Sequence, residues 1–127
     1  MTEVLQRIAE VKSEYLYEML QEIKKRPGIF LGRSSITRLR SFLDGYMGAR
    51  EDLGLPRTDQ EREFNNFQDW IQKRYNITSS HSWNEIILFY SADERDALDN
   101  FFKLFEKFQN GESPLPNKVN INHAEKA

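Results

Sequence analysis

Cysteine is absent from this chain of 127 residues, and with it go disulfides, thiolate metal sites and thiol catalysis. That absence fits a reducing compartment. Histidine is nearly as scarce. The two present are His81, in SSHS, and His123, near the C-terminus; neither begins a metal pattern such as HExxH, so no metal site is expected. Six glycines are too few and too scattered for a phosphate loop, and GxxxxGK[ST] does not occur. No apolar run approaches the ~18 residues that a membrane span needs. The N-terminal MTEVLQRIAEVKSEY is charged throughout, without the apolar core of a signal peptide. A cytoplasmic location and no membrane contact are therefore expected. The formal charge of −2 gives no chain-wide attraction to nucleic acid.

Apolar residues are also short, at 39% against the usual 45–50%. Aromatic rings compensate: nine Phe, five Tyr and two Trp bury large areas per residue. Their spacing is helical. Val4, Ile8, Val11, Tyr15 and Met19 share one face, widened by Leu5, Leu16, Leu20 and Ile23, with Tyr17 outside the stripe. This helix should stop near Arg26, because Pro27 disfavours helical geometry in the residue before it, and Gly28 then permits a turn.

Ser34 or Ser35 is suited to cap a second helix with Ile36, Leu39, Phe42, Leu43, Tyr46 and Met47 as its stripe; Gly54-Leu55-Pro56 ends it. Three capping boxes follow at Thr58–Glu61, Ser82–Glu85 and Ser91–Glu94. The first opens a helix with Phe64, Phe67, Ile71 and Tyr75 on one side and Trp70 at its edge. The second precedes IILFY, Ile86 to Tyr90, which β-propensity assigns to a strand. The box favours helix, and apolar residues on several sides then predict a central buried helix, with Ile86, Ile87 and Tyr90 beside a core Trp83. The last helix runs from about Ala92 to Gln109, before Asn110-Gly111. The expectation is one all-α domain of about five helices over residues 1–111, with a loose tail over 112–127.

Two charged clusters are candidate surfaces. Asp93, Glu94, Asp96 and Asp99 crowd the start of the last helix, where negative charge favours the dipole and also offers an acidic face to a basic protein. Tyr17 and Trp70 are candidate aromatic anchors for such a partner. The opposite cluster is Lys24, Lys25, Arg26, Arg33, Arg38 and Arg40, uninterrupted by any acid, which offers contacts to phosphates. Nothing here assembles into a catalytic constellation or a cofactor motif, so a binding protein is expected rather than an enzyme.

KKRPGIFLG, Lys24 to Gly32, resembles a segment near the start of the DNA gyrase ATPase subunit. The Asp-x-Gly-x-Gly element and the second glycine-rich lid that such an ATPase needs are missing, so nucleotide binding is not implied. Two longer blocks carry a different resemblance. RPGIFLGRSSITRLRSFLDGY reads as RPG-hydrophobic-hydrophobic-G followed by S-x-x-x-L-x-x-F-x-x-G-Y. SWNEIILFYSADERDALDNFFKLFEKF reads as SW-x-x-I-I, S-x-D-E and FF-x-L. Together, over a little more than a third of the chain, they resemble small bacterial immunity proteins that protect cells from polymorphic or contact-dependent toxins. The resemblance implies stoichiometric binding of a cognate toxin, a nuclease being one class, with its active site or substrate groove covered. The alternative is a nucleic-acid-binding or adaptor protein using the basic segment 24–40.

Overall fold

A computed structural model describes residues 15–115, and over that span the protein is all-α, with no strand among the described residues. Six helices follow one another: α1 (Leu16–Lys25), α2 (Pro27–Leu31), α3 (Ile36–Asp52), α4 (Asp59–Tyr75), α5 (Trp83–Phe89) and α6 (Glu94–Gln109). The N-terminal stripe of Val4, Leu5, Ile8 and Val11 lies outside the described residues, as does the tail beyond Leu115. The helix that exceeds the expected five is α2. Pro27 does more than end α1: at the first position of α2 its fixed φ is already helical and its missing N–H is not needed. Arg26, in non-helical geometry, is the joint between them.

Three of the expected starts hold. Ser35 caps α3, its hydroxyl accepting from the Arg38 N–H at 3.1 Å. Thr58 and Glu61 form a reciprocal box at α4, and the Glu85 carboxylate accepts from the Ser82 N–H and hydroxyl at α5. The third box is not used as expected. Asp93, not Ser91, caps α6, because the Ser91 hydroxyl is spent on the Ile87 carbonyl at the end of α5. Asp93 accepts from the Asp96 N–H, while Asp96 reaches back to the Ala92 N–H.

The core joins aliphatic residues of every helix to one cluster of aromatic rings. Phe67, fully buried on α4, is ringed by Phe64, Trp70, Trp83, Phe101, Phe105 and Phe108, with centroids 5.4–6.2 Å away. Most of these contacts are edge-to-face, the arrangement that the ring quadrupole favours. Trp83 is core, as its place in the sequence implies. Short α5 packs against α3, α4 and α6, so IILFY is helical from Ile86 to Phe89, with Tyr90 as its C-cap. A strand would have needed a partner edge, and the helix satisfies its backbone internally.

The two longest helices, α3 and α4, hardly approach each other at the backbone. Side chains join them. Arg50 Nε meets Glu61 Oε2 at 2.7 Å, with the two side chains only 10% and 5% exposed. Arg50 also donates to the Pro56 carbonyl and lies over the Tyr46 ring at 5.9 Å. Burial raises the Tyr46 pKa, and the Arg50 charge partly counters this.

Phe67→Ala should lower stability by about 3–5 kcal/mol, the range for deleting a large buried aromatic, whereas exposed Phe89→Ala should change it by less than about 0.5 kcal/mol; urea denaturation midpoints would measure both. Glu61→Gln keeps the helix cap but strands the Arg50 charge. It should cost about 3–5 kcal/mol, and an unchanged midpoint would show that water reaches the pair.

Candidate functional site

Several cations of the basic segment have partners within the fold. Lys24 and Lys25 lie exposed in the last turn of α1, where cations favour the helix dipole. Arg26 pairs with Glu22 at 3.2 Å. Arg38 donates to the Leu31 carbonyl at 2.9 Å, closing the end of α2. This fixes the glycine between them: Gly32 has φ +82°, and a Cβ there would sit 2.6 Å from Arg38 Nη1. Arg40 pairs with Asp44, donates to Asn84 and covers the Trp83 ring at 5.6 Å. Arg33 is exposed, near the Glu94 carboxylate. KKRPGIFLG is thus a junction of two helices, and two of its cluster's cations, Arg38 and Arg40, tie separate elements together.

The acidic cluster is similarly engaged. Glu94 crosses to the start of α3, accepting from the Ser35 hydroxyl (2.7 Å), the Thr37 N–H (2.9 Å) and the Thr37 hydroxyl (2.7 Å). Burial pushes its pKa up, but these three donors outweigh it and the net shift is downward. Asp93 and Asp96 form the α6 cap described above. Asp99 is exposed and lines a cavity of about 260 Å³ between α1 and α6 with Lys24, Lys103 and Glu106, where charges of both signs mix.

The two proposed anchors are also tied inward. Tyr17 lies beside the core after all: its ring meets Phe105 edge-on at 5.2 Å and its hydroxyl donates to Glu63. The helical wheel of α1 missed this because α6 also flanks that side. Trp70 is 8% exposed, sits beside Phe67 and Phe108, and donates its Nε1–H to the Glu112 carbonyl at 3.0 Å. The tail therefore begins held against α4.

The open feature lies elsewhere, where α5 was expected to be buried all round. Successive helical residues are 100° apart, so Ile86 and Ile87 face the core, Leu88 is half-buried and Phe89 points outward, 79% exposed. Tyr90 is 50% exposed and stacks on Tyr75 at 4.6 Å; it does not pack beside Trp83. With Ile77 and Ile86 these residues line a groove of about 520 Å³. Its rim is fixed: Gln68 donates to the His81 carbonyl and Gln72 to the Ser79 carbonyl, pinning the connecting loop to α4. The Ser79 hydroxyl and His81 Nδ1 are hydrogen-bonded at 2.7 Å, a local turn contact. At the same rim the Ser82 hydroxyl, then its N–H, holds the Glu85 carboxyl below its ordinary pKa. The warning in the sequence was IILFY itself, since consecutive apolar residues point around the whole helix and cannot all face its neighbours.

Among the described residues, no helix is long and apolar enough to cross a membrane, and no group of three or more His, Asp or Glu is placed to hold a metal. Comparison with protein-family models, with curated proteins and with solved structures gives no match.

Glu94→Gln should destabilise the protein by about 1–3 kcal/mol at neutral pH, the worth of hydrogen bonds to a charged acceptor. Because the folded pKa lies below the ordinary 4.5, this stabilisation is complete above that pH. It is lost as pH falls through the lower folded value, so the gap between variant and parent should narrow in acid. Thermal melts across pH would measure it.

Proposed function

We propose that this protein is a stoichiometric protein-binding inhibitor: a bacterial immunity protein that acts in the cytoplasm and neutralises a cognate toxin by covering its active site or substrate groove. The observation that carries the reading is the groove beside α5, where Phe89 and Tyr90 stand exposed on a rigid helix end. Isolated exposed apolar residues are ordinary, but two adjoining aromatics beside a preformed apolar slot mark an interaction surface. The resemblance of the two sequence blocks to immunity proteins supports the same conclusion. A toxin that acts on nucleic acid suits it best, since its phosphate-binding groove is cationic and this chain is mildly acidic.

The acidic start of α6 is a poor docking face on this reading, because Asp93, Glu94 and Asp96 already accept hydrogen bonds within the fold. The basic segment is likewise weakened as a nucleic-acid surface by the roles of Arg38 and Arg40 within the fold.

Co-precipitation from the native host, followed by calorimetry with the purified partner, tests the proposal. Phe89→Asp should weaken that complex at least ~30-fold, the scale of a hot-spot residue, while leaving the melting temperature nearly unchanged. Unaltered affinity would sink the groove as the binding site. Salt-sensitive binding to single- or double-stranded nucleic acid with no protein partner recovered would overturn the function.

A further inference from the structure

Resting on the protein-binding reading, we propose that the α5 groove recognises a cationic segment of its protein partner: a large apolar side chain enters the slot, and an adjoining lysine or arginine lies against Glu85 and the exposed aromatic rings.

Three properties of the groove select this chemistry. Its floor, from Ile77, Ile86 and Leu88, is apolar, and its volume of about 520 Å³ lies within the roughly 300–1,000 Å³ that bound ligands usually fill. Its one lining carboxylate, Glu85, sits at the rim, exposed and ionised at neutral pH. Arg40, whose charge reaches Glu85, is already paired with Asp44. His81 is engaged with the Ser79 hydroxyl. Both Ser82 bonds fall on Glu85 Oε1, so Oε2 is left to an incoming cation, whereas an incoming acid meets a like charge.

The rings add a second attraction for the same sign. Tyr75 and Tyr90 are stacked with an interplanar angle of 12°, and Phe89 stands edge-on to Tyr90 at 80°. Phe89, at 79% exposure, leaves a ring face open to a guanidinium or ammonium, which ring quadrupoles attract within about 6 Å. Arg74, beside Tyr75 in α4, is half-buried, and its charge partly counters the burial that raises the Tyr75 pKa. The pinned loop and the capped start of α5 hold these groups in place before binding, so little ordering cost opposes it.

The test is an NMR titration of the full chain, labelled with nitrogen-15, using two probes: N-acetyl-arginyl-tryptophanamide and N-acetyl-glutamyl-tryptophanamide. The arginyl probe should shift the amides of Ile77, Ile86, Phe89 and Tyr90 saturably and bind at least about fivefold more tightly than the glutamyl probe. Glu85→Gln, which keeps the capping bond to Ser82, should reduce that preference to less than about twofold. Phe89→Ala should weaken both probes. Equal binding of the two probes, or a preference untouched by Glu85→Gln, would overturn the cationic assignment while leaving the groove as a docking surface. No groove shift with either probe would overturn the groove itself.

Discussion

Everything in the fold is referred to the ring of aromatics around Phe67. A chain with this little aliphatic content has few ways to remove enough apolar surface from water, and large rings supply the most burial per residue. Phe67 is surrounded by six other rings drawn from α4, α5 and α6, so a single cluster fixes how those three helices lie together. The other helices join the same core through buried aliphatic residues, among them Leu16, Leu20 and Ile23 on α1 and Ile36 and Leu39 on α3. Tyr17 brings α1 to Phe105, and Arg40 brings α3 to Trp83.

Charged side chains complete what the aromatics begin. Arg50 and Glu61 join α3 to α4, whose backbones hardly approach each other. Glu94 serves α6 and α3 together, lying in the first turn of one while accepting from the start of the other. Such groups are costly to bury and strongly destabilising to strand, so they are poor candidates for trading partners with a second protein. Their internal use moves attention from both charged clusters to the aromatic end of α5, where side chains lack internal neighbours on the outward side.

That surface joins two properties that usually compete. The backbone around it is held by capping and by glutamine contacts from α4, yet Phe89 and Tyr90 project into solvent. A rigid scaffold carrying exposed aromatics gives large contact area at small entropic cost.

Helix positions were legible in the sequence because their causes are local. Pro27 ends α1, Ser35 and Thr58 donate or accept within one turn, and the period of Phe64, Phe67 and Ile71 follows from backbone geometry alone. Where the sequence misled, a competing partner intervened. Ser91 lost the α6 cap to Asp93 because its hydroxyl found the Ile87 carbonyl, Tyr17 was covered by α6, and Glu94 found α3, 57 to 59 positions away in the chain. Local chemistry thus determined the all-α class, most of the helix boundaries and the aromatic core. Only the tertiary arrangement decided which charges were consumed and which aromatics stayed exposed, because burial and pairing depend on which helices arrive on each side, and periodicity within one helix does not encode that.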